Sequence, residues 1–150
     1  MDKSIKEYVM LIKEFIEETN KNQMISILLK YYKVESVKMK YKSMKEHAHY
    51  EVETGTLLLS TKYKSLKKSQ IKPFLITIIH EIDHAVMSKK YGWRKFKDMW
   101  EFEANKIEQG YGAKGATDGY WDNPYELQAE KFGRKNWKKW YDTFKKQDLI

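Results

Sequence analysis

The chain has no cysteine among its 150 residues. That excludes a disulfide framework, a thiolate metal site and a cysteine nucleophile. Any metal must therefore be held by His, Asp or Glu. Arginine is nearly missing too, since only Arg94 and Arg134 stand among 29 basic residues and the rest are Lys. Base and phosphate readers lean on the bidentate guanidinium, so the formal charge of +8 reads as a lysine-rich solvated surface rather than a nucleic-acid interface. Nucleic acid stays an open but not favoured partner. Long apolar runs are absent as well. The longest, Phe74 to Ile79, is far too short to cross a bilayer, so no membrane association is expected. The N-terminal stretch carries Lys and Glu throughout its apolar positions and lacks the apolar core of a signal peptide. These features set the expectation of a cytoplasmic protein. A hydrophobic content of 41% with 33% charged residues suits one globular domain over residues 1–150.

The apolar spacing then orders the chain. Ile5, Tyr8, Val9, Ile12, Phe15 and Ile16 recur at helical intervals, which predicts an amphipathic helix over 2–19. Asn20 to Asn22 is expected to break it before a second, shorter helix over Met24 to Tyr32. Val37, Met39 and Tyr41 alternate with lysines, and Ala48, Tyr50 and Val52 alternate with His47, His49, Glu51 and Glu53. Both read as half-buried strands. With Thr54-Gly55 as a turn and Thr56 to Ser60 as a third strand, a three-stranded antiparallel meander is expected. Residues 62–70 read as a loop. Helices follow over about 73–90, over 94–109, and from Asp122-Asn123-Pro124 towards Phe144. The third of these starts is marked by an N-cap candidate ahead of proline. Gly110, Gly112, Gly115 and Gly119 set off a flexible stretch between the last two. The fold class is α+β. Phe132, Trp137, Trp140, Tyr141 and Phe144 alternate with basic residues, an arrangement that can stack single-stranded bases. Their helical spacing favours a face packed on the core.

Chemistry concentrates in Thr77-Ile-Ile-His80-Glu81-Ile82-Asp83-His84. Successive helical residues are about 100° apart, so positions four apart nearly eclipse. His80 and His84 can thus place two imidazole nitrogens on one ion, with Glu81 beside them and able to touch the ion's water without being a ligand. The plain alternative is two surface histidines with a chance glutamate. With four histidines in the chain, a chance match to His-Glu-x-x-His is expected on the order of once in a hundred such chains. Thr77 and Ser88 extend the polar stripe, while Leu75, Ile79, Ile82 and Val86 face elsewhere. A polar stripe on an apolar helix is costly to bury unless something satisfies it.

This segment resembles the active-site helix of the zincin metallopeptidases. The order of elements, with strands ending in Gly55-Thr-Leu-Leu-Leu-Ser60 before the motif helix, resembles the minimal gluzincin core of small peptidases. These include the ImmA/IrrE-like and SprT-like families, often found on phages and mobile elements. The resemblance covers roughly residues 45–135. It implies a zincin-like fold core, a Zn2+ cofactor and a hydrolase acting on a protein or peptide substrate. Glu81 is then the general base that activates the zinc-bound water. One departure is Asp83, where such motifs usually avoid charge. It is expected to point away from the histidine face, at the surface or behind a histidine.

A third ligand is needed. His47 and His49 are candidates, though they read as exposed strand residues. The resemblance points instead to a later helical glutamate followed three residues on by alanine. Glu126 with Ala129 fits, directly after Asn123-Pro124, with Ala129, Phe132 and Gly133 as a packing face. Glu101 and Glu103, ahead of Ala104, fit a helix turning back after Gly92. Glu126 is favoured, with Glu130 one turn on as a residue steering a histidine. Tyr120 and Tyr125 are the only guesses for an oxyanion helper. A zincin-like module that binds nucleic acid or a host protein without hydrolysis, or a DNA-associated peptidase, remains the alternative.

Overall fold

A computed structural model describes residues 3–111 and 123–150. Gly112, Gly115, Gly119, Tyr120 and Asp122, named above, lie outside the described residues. Within them the chain is α+β, with helices α1 (Lys3–Tyr31), α2 (Ile71–Tyr91), α3 (Trp93–Tyr111) and α4 (Pro124–Lys146). Strands β1 (Lys38–Lys42), β2 (Ala48–Glu51) and β3 (Thr56–Ser60) lie between α1 and α2. No helix among the described residues is long and apolar enough to cross a membrane.

The break expected at Asn20–Asn22 does not occur, and α1 runs unbroken from Lys3 to Tyr31. An asparagine costs a helix only a few tenths of a kcal/mol relative to good formers, less than burial of a neighbour can offset. Lys21 sits on the inward face, fully buried. It donates to the Tyr41 hydroxyl and to Lys64 O at 3.4 Å. Beyond it Met24, Ile25, Leu28 and Leu29 enter the core. The N-terminal half behaves differently. Ile5, Tyr8, Val9, Ile12, Phe15 and Ile16 are all exposed. A 29-residue helix is roughly 43 Å long, and the core residues it contributes, Met24, Ile25, Leu28 and Leu29, lie in its C-terminal half.

The sheet corrects a second expectation. It is mixed, in the order β1-β3-β2, with β1 parallel and β2 antiparallel to β3. An antiparallel meander would have put β2 in the middle. Side-chain character explains the order. β3 is buried along nearly its whole length, whereas β1 alternates exposed lysines with half-buried Met39 and Tyr41. β2 exposes His49 and buries Ala48 and Tyr50. The most apolar strand takes the centre and the charged ones take the edges, where polar side chains stay in water. β2 is thereby the edge that meets α2.

α2 is the central element. Phe74, Leu75, Ile78, Ile79 and Ile82 are buried on it, each contributing roughly 1.5–3 kcal/mol by removal from water. Its start lies two residues ahead of the expected Pro73, and it stops at Gly92, whose φ of 83° most side chains do not tolerate. A single residue thus separates α2 from α3, and the reversal lays α3 back beside α2. Gly110, expected in a flexible stretch, belongs to α3. α4 begins as expected, with the Asn123 side chain accepting from Tyr125 N at 3.0 Å and Pro124 at the first helical position.

α4 packs closely along α2. Ala129 is fully buried, and a Cβ at Gly133 would sit 2.5 Å from the Ile76 carbonyl oxygen. Trp140 and Phe144 complete the core, with Trp137, Tyr141 and Phe132 packed against it. The aromatic series of the last helix is a packing face.

Candidate metal centre

His80, Glu81 and His84 are all buried on α2, and one donor atom from each lies within 4.8 Å of the others. Facing them across the α2–α4 contact is Glu126, in the first turn of α4 and 4% exposed. Its Oε2 lies 2.9 Å from His80 Nε2 and its Oε1 2.9 Å from His84 Nε2. The outer nitrogens of both rings converge on one carboxylate, which sits where a helix N-terminus favours negative charge. The small residues that follow permit this approach, because bulk at Ala129 or Gly133 would hold α4 away.

Three carboxylates lie near the rings and are held differently. Glu81 Oε2 accepts from the backbone N–H of Tyr50 at 2.8 Å, so the edge strand fixes it beside the histidines. Glu126 is the one in direct contact with both Nε2 atoms. Glu130, one turn along α4, takes His80 Nδ1 at 3.0 Å and is itself held by Arg134 Nε at 2.9 Å. His84 Nδ1 is buried without a hydrogen-bond partner among the described residues.

The other expected glutamates are elsewhere. Glu101 is exposed and faces Lys97 at 3.9 Å, which also meets Glu53 at 2.7 Å. Glu103 is half-buried on the same helix, away from the His80–Glu126 contacts. His47 joins the Tyr63 hydroxyl at 2.5 Å and His49 is exposed, so neither enters the cluster. Tyr125 packs edge-on against Phe96, centroids 5.7 Å apart. Of the two positions expected for Asp83, the structure shows the one behind the histidines and not the surface one. Asp83 is buried, and Gln128 Nε2 of α4 donates to its Oδ2 at 3.1 Å. It braces the α2–α4 contact behind the histidines.

Two contributors were invisible in the sequence. One is the Tyr50 N–H, a backbone group with no side-chain signature. The other is Trp100 on α3, whose indole N–H donates to Glu126 Oε1 at 2.9 Å. Phe96, one turn earlier, packs on His84 with centroids 5.9 Å apart. The reversal at Gly92 was legible as bringing α3 to the site, but it delivers these aromatics to the cluster and leaves Glu101 on the cleft lining, paired with Lys97.

Electrostatics favour a cation at the cluster. Burial works against a charged His80, but the Glu126 hydrogen bond, the charges of Glu81 and Glu126 and the Glu130 hydrogen bond outweigh it and hold its pKa at about 9. Burial raises the pKa of Glu81 against the pull of His84, His80 and the Tyr50 N–H. Burial likewise raises Asp83, opposed by Gln128 and the two histidines. Two imidazoles and a carboxylate aimed at one point are a borderline-soft N/O donor set of the kind divalent transition metals take. With the centre buried beneath it, a cleft of about 570 Å³ opens between β2 and α3. Tyr50, Val52, Phe96 and Trp100 line it, and Glu81, His84 and Glu126 form its floor.

Compared with family models, curated proteins and solved structures, the chain gives no significant match.

Proposed function

We propose that the chain is a zinc-dependent peptidase of zincin type, with His80, His84 and Glu126 as ligands and Glu81 as general base. The observation that carries this reading is the convergence of His80 Nε2 and His84 Nε2 on the Glu126 carboxylate at 2.9 Å each, at the floor of an open cleft. Zinc held there would supply Lewis acidity to the attacking water and to the scissile carbonyl. Glu81 takes the proton from the attacking water and delivers it to the departing amine. Its buried setting, which raises its pKa, suits a group that must hold a proton between those two steps. The Tyr50 N–H keeps its carboxylate oriented, and Glu130 fixes the His80 ring through Nδ1. β2, as an edge strand, offers an extended peptide a partner along the cleft.

The test is a pair of measurements on Glu81→Gln, which keeps size and hydrogen-bonding reach but removes basicity. Zinc content should be unchanged while hydrolysis of a peptide library falls by at least about a hundredfold. A variant that keeps its full hydrolytic rate would overturn the assignment. A wild-type protein that binds zinc but cleaves no peptide would favour a non-catalytic module binding a host protein or nucleic acid.

A further inference from the structure

We propose that Trp100 is a positioning residue for the metal centre, holding the Glu126 carboxylate in the orientation that zinc requires. This rests on the reading of Glu126 as a ligand and adds a residue of α3 to a ligand set drawn from α2 and α4. A glutamate side chain has three rotatable bonds, and its carboxylate plane turns easily unless both oxygens are engaged. Here Oε2 meets His80, while Oε1 meets both His84 and the Trp100 indole at 2.9 Å. Zinc would compete with the two histidine contacts but leaves the third alone. The indole N–H is a donor only, so it holds Oε1 whether or not the histidine nitrogens carry protons or metal.

Trp100 is itself braced from the helix it serves. Asn123 Nδ2 donates to the Trp100 carbonyl at 3.2 Å, and Asn123 Oδ1 accepts from Tyr125 N at 3.0 Å. Asn123 is 1% exposed. The cap of α4 therefore grips α3 at Trp100, and Trp100 reaches back to Glu126, three residues beyond that cap. The loop closes in side-chain and backbone hydrogen bonds and sets the position of α3 against the N-terminus of α4. Because Trp100 also lines the cleft, its ring forms a wall of the same space whose floor its N–H helps to fix.

The experiment measures zinc affinity by competition with a fluorescent chelator for wild type, Trp100→Phe, Glu126→Gln and the double variant. Loss of an orienting partner of a metal ligand costs typically 10–100-fold in affinity. Trp100→Phe should weaken zinc by about that factor, yet cause little further loss when Glu126 is already Gln. Trp93→Phe, on an exposed ring at the start of α3, should leave affinity unchanged. An undiminished effect of Trp100→Phe in the Glu126→Gln background would mean a general packing role and overturn the proposal, as would unchanged affinity in the single variant. If Glu126→Gln itself leaves zinc affinity intact, the ligand assignment fails and this inference falls with it. Should Trp100→Phe not fold, 3-benzothienylalanine placed at position 100 keeps the bicyclic shape and removes only the N–H, and the same outcomes apply.

Discussion

The backbone N–H of Tyr50 donates to Glu81 Oε2 at 2.8 Å, joining the outer edge of the sheet to the motif helix. That bond gives Glu81 a structural duty beside its chemical one. Removing the acceptor leaves a buried backbone donor unsatisfied, which costs about 1–3 kcal/mol. In metal-free protein Glu81→Ala should therefore lower stability by that amount. Glu81→Gln, whose amide oxygen can still accept, should not. Equal destabilisation of both variants in urea titrations would show that the Tyr50 contact does not hold the residue.

The ligand assignment separates two helices. Glu126→Gln should weaken zinc binding by an order of magnitude or more, because it removes the charge facing both imidazoles. Glu101→Gln and Glu103→Gln should change it little, since Glu101 is engaged with Lys97 at the surface. Isothermal titration with zinc distinguishes these outcomes. A large effect confined to Glu101 or Glu103 would move the ligand to α3.

How much of this was legible beforehand differs by element. The motif helix, the cap at Asn123 and the Glu126–Ala129–Gly133 face could be read because helical spacing and capping are local properties of the chain. The order of the strands was not read correctly, although β3 is the most apolar of the three. Alternation identifies a strand but does not say which neighbour it pairs with, and consecutive strands joined by a short turn invite a meander. The continuity of α1 was missed because Asn20–Lys21–Asn22 is a polar run whose middle member is anchored by partners 20 and 43 residues away. Trp100 was missed as a site residue for the same reason, since its partner Glu126 lies on another helix, and the Gln128 partner of Asp83 was hidden in the same way.

Close approach of α4 to α2 gives a stability prediction. Gly133→Ala would bring a methyl group to within 2.5 Å of the Ile76 carbonyl oxygen, and backbone on both sides leaves little room to yield. Overpacking of this kind costs typically about 1–3 kcal/mol. Because Glu126 rides on the same helix, zinc affinity should fall together with the denaturation midpoint. A variant as stable as wild type would contradict the packing described.

Lys21 supplies a pH dependence of a different origin. Burial lowers its pKa from 10.5 to about 8, the charge of Glu18 opposing and that of Lys64 adding to the shift. Below about 8 it is charged in both states and burial of that charge is a cost to the folded form. As pH rises from about 8 towards 10.5 the unfolded chain holds the proton longer, so folding stability increases. Tyr41, pushed up to about 12 chiefly by burial and then by Glu18, acts in the opposite direction above its ordinary value of 10.0. The gain should therefore be clearest between about pH 8 and 10. Lys21→Met should lose this rise in urea titrations across that window, and its persistence would contradict the burial of Lys21.

The most direct test of a metal centre formed by α2 and α4 is an anomalous difference map from crystals grown with zinc, recorded on either side of the zinc absorption edge. The account predicts one strong peak per chain, within bonding distance of His80 Nε2, His84 Nε2 and the Glu126 carboxylate, with Glu81 beside it and not bonded to it. A map without a peak there, or with the peak on other residues, would contradict it.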